Sequence, residues 1–587
     1  MKKIILNILL LTSIISLAQN RYLTEIFPNV TSSNNVVFST NIPTIKTTNL
    51  FGNRIANEES FGQVSTTLKM DIYQPTGDTN LKRPVIIFAF GGGFVNGSRT
   101  EASMVKLCQS FAKRGFVTAS IDYRLGMNIN DEELSKRAVY RGIQDGRSAV
   151  RFFRKNAATY KVDGGKIFIS GHSAGGFLAL HNVFLDKDSE RPASTRLFMS
   201  TRPDLGGLDG IGDNKTYANG ALVSGKANGA VALAGALGNI TYIENSSDVP
   251  VAFFHSSDDN TVPYNSGEPF STLSWLPGFN LPIVYGGNAL TNRATAVGAP
   301  KELNPYKNRG HNVHFDGSNL YTDIAPKISQ FLYSRFLAPG TLRIEGNPIV
   351  CNTCPPETYI LNENSTKTDW IVNGGKIIES KNNTITIQWN KDDSQKSIVA
   401  NSYSNQLAKG ENINLNIVNN IAPVVTKDLN ALTSFKNINL NDYFHDIEGT
   451  PMTYRAYSVG GKELLNDENN NNLLSLTSLN QEVIVEAKDA NNCKTIQKIS
   501  PKSISTNDFI VVSPNPFSSE FTIKLDYDFK SETTLEILDL NGRIIVTKTI
   551  STSDLEAVTI NEIKNSGIYI LKVRNNELEF EQKIIKK

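Results

Sequence analysis

Lys166-Ile167-Phe168-Ile169-Ser170-Gly171-His172-Ser173-Ala174-Gly175-Gly176 is the stretch from which the rest of this chain is read. An apolar β-type run enters a Gly-x-Ser-x-Gly turn, and an apolar helix-type run, Phe177 to Leu185, leaves it. That layout describes a nucleophile elbow, a strand-to-helix turn too sharp for bulky neighbours, so glycines flank the serine. The strain lifts the Ser173 hydroxyl above the sheet edge, and the helix N-terminus behind it favours developing negative charge.

Working outward, the neighbouring segments alternate between strand and helix. Leu68 to Tyr73 alternates like a strand. Pro84 to Phe90 is continuously apolar, as expected of a strand buried on both faces of a parallel sheet, and it runs into Gly91-Gly92-Gly93-Phe94. Ala102 to Arg114 reads as a helix and Gly115 to Asp122 as a strand. Ala138 to Tyr160 reads as a long helix, with Val139, Ile143, Val150 and Phe153 on one face. After the elbow, residues 186–228 break the rhythm and read either as a lid or pocket insert or as a surface excursion. The rhythm resumes with Ala230 to Ala234 and Val251 to His255, and a helix near Asp323 to Leu337 closes the region. Alternation of this kind predicts an α/β fold with a mostly parallel sheet and helices on both faces over residues 19–340.

A serine hydroxyl needs a base to act as a nucleophile, and the base needs an orienting group. In this setting the partners are expected in the order Ser, acid, His, each in a loop after a later strand. The chain has six histidines. His172 lies inside the elbow and is expected to point away from the serine, His181 lies on the following helix, His255 ends a strand, and His445 falls in a β-rich region. His311 and His314 remain, in a loop before the final helix. His311 is preferred because Gly310 permits a tight loop. The acid is sought between Ser173 and His311, where Asp258 and Asp259 follow a strand and both qualify. Backbone N–H groups of Ala174, Gly92 and Gly93 are the expected oxyanion donors, since glycines let the chain approach a carbonyl closely. No cofactor and no metal are expected.

The whole chain bounds the reading. With 587 residues it is too long for one core, and a net charge of +2 argues against nucleic acid as a partner. Met1 to Ala18 has a basic start, an apolar stretch and small residues at its end, and reads as a secretory signal peptide. No other run is long and apolar enough to span a bilayer, so no transmembrane segment is expected in the mature chain. Of the four cysteines, Cys351 and Cys354 have metal-knuckle spacing but no second pair, and read as a small local disulfide or two ordinary thiols. Beyond about residue 343, short alternating runs such as Thr384 to Trp389 and Gln481 to Ala487 replace helices and predict β-sandwich modules.

These residues carry resemblances. The region 19–340 resembles the α/β-hydrolase superfamily, in particular secreted esterases and lipases of the hormone-sensitive-lipase-like and feruloyl/acetylxylan-esterase-like groups. Gly91-Gly92-Gly93-Phe94 is similar to their oxyanion motif, with Phe90 where they usually carry histidine. Asp122-Tyr123-Arg124-Leu125, the Gly171 to Gly176 elbow and Gly310-His311 are similar to their counterparts. The stretch His255 to Pro263 is similar to their acid loop, and this resemblance implies Asp259 rather than Asp258 as the acid. Residues 341–420 resemble a PKD-like module through Trp370 to Gly375 and Ile387 to Trp389. Residues 421–505 resemble a cadherin-like sandwich through Tyr443 to Gly449 and Glu486 to Asn491. Residues 506–587 resemble the C-terminal sorting domain of type IX secretion in Bacteroidetes, through Pro514-Asn515-Pro516, Asp539 to Gly542, Gly567 to Leu571 and Lys583 to Ile585. That resemblance implies the type IX machinery as a partner, removal of the domain, and release or cell-surface attachment.

The reading is therefore a secreted serine hydrolase that cleaves carboxylic esters of small molecules, lipids or polysaccharides through Ser173, Asp259 and His311. The alternatives are an inactive hydrolase-fold adhesion protein and a serine peptidase. The base must start neutral, so activity is expected to fall below about pH 6.5, where an ordinary histidine protonates.

Overall fold

In the computed structural model the described residues are 21–587 apart from 44–45, 51–52, 59–64, 197–201, 203, 274, 276–277, 352–355, 363–365, 392, 433–437, 466–471, 475, 477–481, 501–509, 526–531, 551–556 and 576–578. The expected signal peptide and Cys354 lie outside them.

An eight-stranded sheet forms the first region. Its strands are β1 (Val30–Pro43), β2 (Ser65–Pro75), β3 (Arg83–Ala89), β4 (Val117–Ile121), β5 (Val162–His172), β6 (Gly229–Leu233), β7 (Val251–Ser256) and β8 (Lys301–Tyr306). They lie side by side in the order β1-β2-β4-β3-β5-β6-β7-β8. The pairs β1–β2 and β2–β4 are antiparallel, and every later pair is parallel. β3, β4, β6 and β7 are buried along their whole length, as continuous apolar runs covered on both faces must be. The helices are α1 (Ala102–Lys113), α2 (Glu132–Lys155), α3 (Ala174–Phe184), α4 (Gly287–Val297) and α5 (Ile324–Leu332). Helices α2 and α3 pack on each other against β5, while α1 and α5 touch each other. This is the α/β-hydrolase arrangement.

Three elements differ from the sequence reading. Helix α2 starts at Glu132 rather than Ala138 and ends at Lys155, because the Asp131 carboxylate accepts hydrogen bonds from the N–H groups of Glu133 (3.0 Å) and Leu134 (2.9 Å). Its buried side also carries charge: Arg137, Arg141 and Arg151 are all fully buried. β1 lies in a stretch to which the sequence reading assigns no element, and β8 in one interrupted by Pro305. Both are edge strands, where a polar or proline-containing sequence is tolerated.

The remaining chain is β-structured. Two four-stranded sheets between Ile344 and Asn420 enclose Tyr359, Ile385, Ile387 and Ile398. Residues 424–499 build a second core around Phe444, Ala456, Val485 and Ile499, and residues 510–586 a third around Phe521, Leu535, Leu571 and Ile584. The first of these modules closes the base of the hydrolase region. The Gln406 carbonyl accepts from Tyr22 Oη (2.6 Å) and Asn80 Nδ2 (2.8 Å), its side-chain amide donates to Asp163 (2.6 Å), and Ala408 sits in the hydrolase core. Cys351 corrects both readings offered for it, a local disulfide or an ordinary thiol: its disulfide partner is Cys493, 142 residues away, so the bond ties the first β module to the second. Asn420 bonds to Asp489 (2.6 Å) and Asn491 (2.6 Å) beside it.

Candidate active site

Ser173 stands between β5 and α3 with φ 53° and ψ −117°, a backbone conformation that side chains other than glycine rarely adopt. The turn is held from below. A Cβ on Gly171 would lie 2.4 Å from the Gly175 carbonyl carbon, and a Cβ on Gly175 only 2.0 Å from the Ala89 oxygen at the end of β3. The two motif glycines therefore let the elbow sit directly on neighbouring backbone, and the Ser173 N–H is anchored to the Leu233 carbonyl (2.9 Å).

The structure brings together the residues that the sequence placed in separate loops. His311 Nδ1 lies 2.8 Å from Asp259 Oδ2. Against a carboxylate the ring nitrogen is the donor, which leaves Nε2 with its lone pair free to accept a proton. Asp259 is wholly buried at its side chain, and its Oδ1 accepts from the N–H groups of Thr261 (2.8 Å) and Val262 (2.9 Å). Burial would raise the pKa of this carboxyl. Hydrogen bonds from His255 and His311, the nearby charge of His311 and the Val262 N–H outweigh it and hold the group well below the usual carboxylate range. Asp258, the other candidate, is exposed and faces Ser256 and the Gly310 N–H (3.4 Å) instead. Ser173 and His311 line one cavity of about 370 Å³, together with Gly92 and Gly93. Gly92 and Gly93, at φ 107° and 58°, turn the chain at the end of β3, and Ala174 and Gly93 line a second cavity of about 390 Å³ that also reaches Ser173.

His172 departs from expectation. It faces the site, donating from Nε2 to the His311 carbonyl (3.0 Å). Its ring lies 4.8 Å from that of His311 and 4.4 Å from that of His314. Burial, then the neighbouring His311, lowers the His172 pKa to about 3, and burial holds His314 well below the ordinary value, so both rings are neutral. His314 is enclosed, and among the described residues neither of its ring nitrogens has a hydrogen-bond partner.

His255 is the residue that sequence reasoning missed. Its Nδ1 accepts from the Gly287 N–H (3.1 Å), so Nε2 carries the proton, 3.1 Å from the Val262 carbonyl and 3.2 Å from Asp259 Oδ2. It is a second donor to the acid. The available signal was its position four residues before Asp259 at the end of a strand.

The supporting shell explains two further motifs. Phe90 stacks on Tyr123 at 4.3 Å, and Tyr123 Oη donates to the Phe90 carbonyl (2.8 Å), which fixes the glycine loop. Arg124 next to it is buried against Asp145 of α2, with Nε–Oδ1 at 3.0 Å and N–Oδ2 at 2.7 Å. Of the insert 186–228, Glu190, Pro192 and Ala193 line the larger cavity, while Asp209 is held by Arg147 (2.9 Å) and Arg151 (2.5 Å) of α2. A second wall, Pro269, Phe270, Leu281, Pro282 and Val284, comes from a segment after the acid loop that has no periodicity to read. Among the described residues, no three His, Cys, Asp or Glu side chains gather as metal ligands would, and no helix is long and apolar enough to cross a membrane.

Residues 70–273 match the family described as BD-FAE, a stretch that holds Ser173 and Asp259 and stops before His311. Residues 511–587 match the secretion system C-terminal sorting domain. The chain is 28% identical over 149 residues to a probable isoprenylcysteine alpha-carbonyl methylesterase of Oryza sativa subsp. japonica, covering 25% of this chain and 32% of that protein. It is 33% identical over 114 residues to a neuroligin-like protein of Caenorhabditis elegans, covering 18% of this chain and 14% of that one. It thus spans a third or less of the length of these curated relatives. Among solved structures, esterase 2 of Thermogutta terrifontis, phosphorylated by paraoxon, is 26% identical, with a TM-score of 0.34, 49% of this chain covered and 96% of that one. The chain carries a BD-FAE α/β-hydrolase domain and a sorting domain that marks it for secretion and cell-surface attachment.

Proposed function

We propose that the protein is a secreted carboxylic ester hydrolase working through an acyl-enzyme on Ser173. The observation that carries this is the 2.8 Å contact between Asp259 and His311 Nδ1, in a site where His311 shares a cavity with a strained serine. His311 Nε2 takes the Ser173 proton as Oγ attacks the ester carbonyl. The oxyanion that forms is held by N–H groups of Ala174 and of the Gly92-Gly93 turn. As the carbon–alcohol bond breaks, the protonated His311 gives its proton to the departing alcohol, steadied by Asp259. Water, deprotonated by His311, then attacks the acyl carbonyl and frees the acid and Ser173. The sorting domain makes the type IX secretion machinery the export partner, and the disulfide between Cys351 and Cys493 suits an oxidising compartment outside the cytoplasm. The β modules and tail take no part in the chemistry.

The test uses the full chain, because Gln406 and Ala408 close the hydrolase base. Wild type is assayed on p-nitrophenyl esters of graded acyl length beside Ser173→Ala. The expected result is turnover by wild type and a loss of about 10⁴-fold or more in the variant. Equal turnover by both proteins would dismiss the role given to Ser173.

A further inference from the structure

Two cavities meet at Ser173, and their walls share Gly93, Met127, Ser173 and Phe270. Gly93 and Ser173 belong to the proposed chemistry, and Met127 is a flexible thioether. Phe270 is the one large rigid side chain common to both walls. It is held in place from its own backbone: φ is 57°, and its N–H donates to the Thr261 carbonyl at 2.6 Å, two residues past Asp259. A left-handed backbone at a bulky residue is costly and persists where the surroundings fix it. Its ring edge rests on the oxyanion loop, since a Cβ built on Gly93 would come 3.2 Å from Phe270 Cζ. Phe270 therefore stands beside the place where the ester carbonyl must sit.

The chemistry gives each cavity a side. The departing alcohol takes its proton from His311, and of these two cavities His311 lines the 370 Å³ one and not the other. The acyl group stays on Ser173 through the second half-reaction and must lie on the other side, in the 390 Å³ cavity along α3. That cavity is lined by Phe94, Ile143 and Phe177 and also by Glu133 and Lys136. The geometry points to Phe270 as the specificity-determining wall between an acyl pocket and an alcohol pocket. This rests on the ester-hydrolase reading above. Pressed against the carbonyl position, the ring admits a straight acyl chain and excludes one branched beside the carbonyl.

The experiment measures kcat/KM of the full chain for p-nitrophenyl butyrate and p-nitrophenyl pivalate in wild type, Phe270→Ala and Phe270→Leu. Wild type is expected to favour butyrate. The pivalate-to-butyrate ratio should rise about tenfold or more in Phe270→Ala and by an intermediate factor in Phe270→Leu, the scale a pocket wall sets. A residue that merely supports the fold would lower both substrates together and leave the ratio unmoved, so an unchanged ratio in both variants, with wild type active, overturns the partition alone. Phe270→Leu keeps most of the packing and gives the answer if Phe270→Ala does not fold. Inactivity of wild type on every p-nitrophenyl ester overturns the underlying hydrolase reading and the partition with it.

Discussion

The hydrolase region and the β modules bury charge differently. In the modules a few charged residues are buried, Lys396, Asp446 and Asp489 among them, with Asp446 and Asp489 accepting from backbone N–H groups, while ion pairs such as Lys494–Glu486 and Arg543–Asp539 have their cationic partner largely exposed. In the hydrolase region charge goes inside: Arg137, Arg141 and Arg151 are fully buried, and Asp145 pairs with Arg124 out of reach of solvent. Buried charge is costly to desolvate and tolerates few geometries, so it fixes loops rather than adding stability. Here it fixes the segments around the site. Arg124 ties the Tyr123 segment under the glycine loop to α2, and Arg147 and Arg151 tie down the insert.

If that contrast is right, damage to the two regions separates cleanly. Asp259→Asn should cost about 10³- to 10⁴-fold in kcat while the modules unfold as before, because an amide holds the His311 ring in the wrong tautomer. Asp258→Asn, at an exposed position, should change kcat by less than about threefold. Kinetics on the two purified variants decides it, and equal losses would remove the distinction drawn between the two carboxylates.

Acid should attack the hydrolase region first. Five of the six histidines lie in it, and none follows His445. Burial lowers His172 to about 3 and His181 to about 4, so each stays neutral when folded and takes up a proton when unfolded. The unfolded state then binds more protons below its ordinary histidine pKa, and stability falls as pH drops from about 6.5 toward 3 to 4, by several kcal/mol. Circular dichroism of the full chain against pH should show the helical signal lost before the β signal. Loss of both together would erase the predicted order.

Asp145→Asn leaves Arg124 buried beside a neutral partner and should cost the hydrolase region about 3–5 kcal/mol in urea unfolding. Cys493→Ala should cost the joined modules about 2–4 kcal/mol with esterase activity unchanged, since the disulfide it breaks lies wholly outside the hydrolase region. Activity falling with the latter would mean the modules reach the site after all.

The same contrast explains what could be read beforehand. Strands β3, β4, β6 and β7 were legible because continuous apolar runs ask for two covered faces. The elbow was legible because the turn needs glycines at fixed offsets, whereas the residues alone left Asp258 and Asp259 both open and only the resemblance pointed to Asp259. The start of α2 was not, since its first turns are polar and its inner face carries arginines whose partners lie far along the chain. The partner of Cys351 was not legible, because spacing offers only the near Cys354 and the fold alone brings Cys493 to Cys351. His172 and His255 were set aside by position along the chain. Their importance comes from contacts across it, with the His311 carbonyl and the Asp259 carboxylate.

One measurement bears most directly on the central claim, that Ser173 is the nucleophile. The full chain is incubated with paraoxon, and the site of covalent modification is located by peptide mass spectrometry. The account predicts one diethyl phosphate per chain, on Ser173, with esterase activity lost in proportion and no labelling of Ser173→Ala. Labelling at another residue, or ester hydrolysis that persists in a chain fully labelled at Ser173, would contradict it.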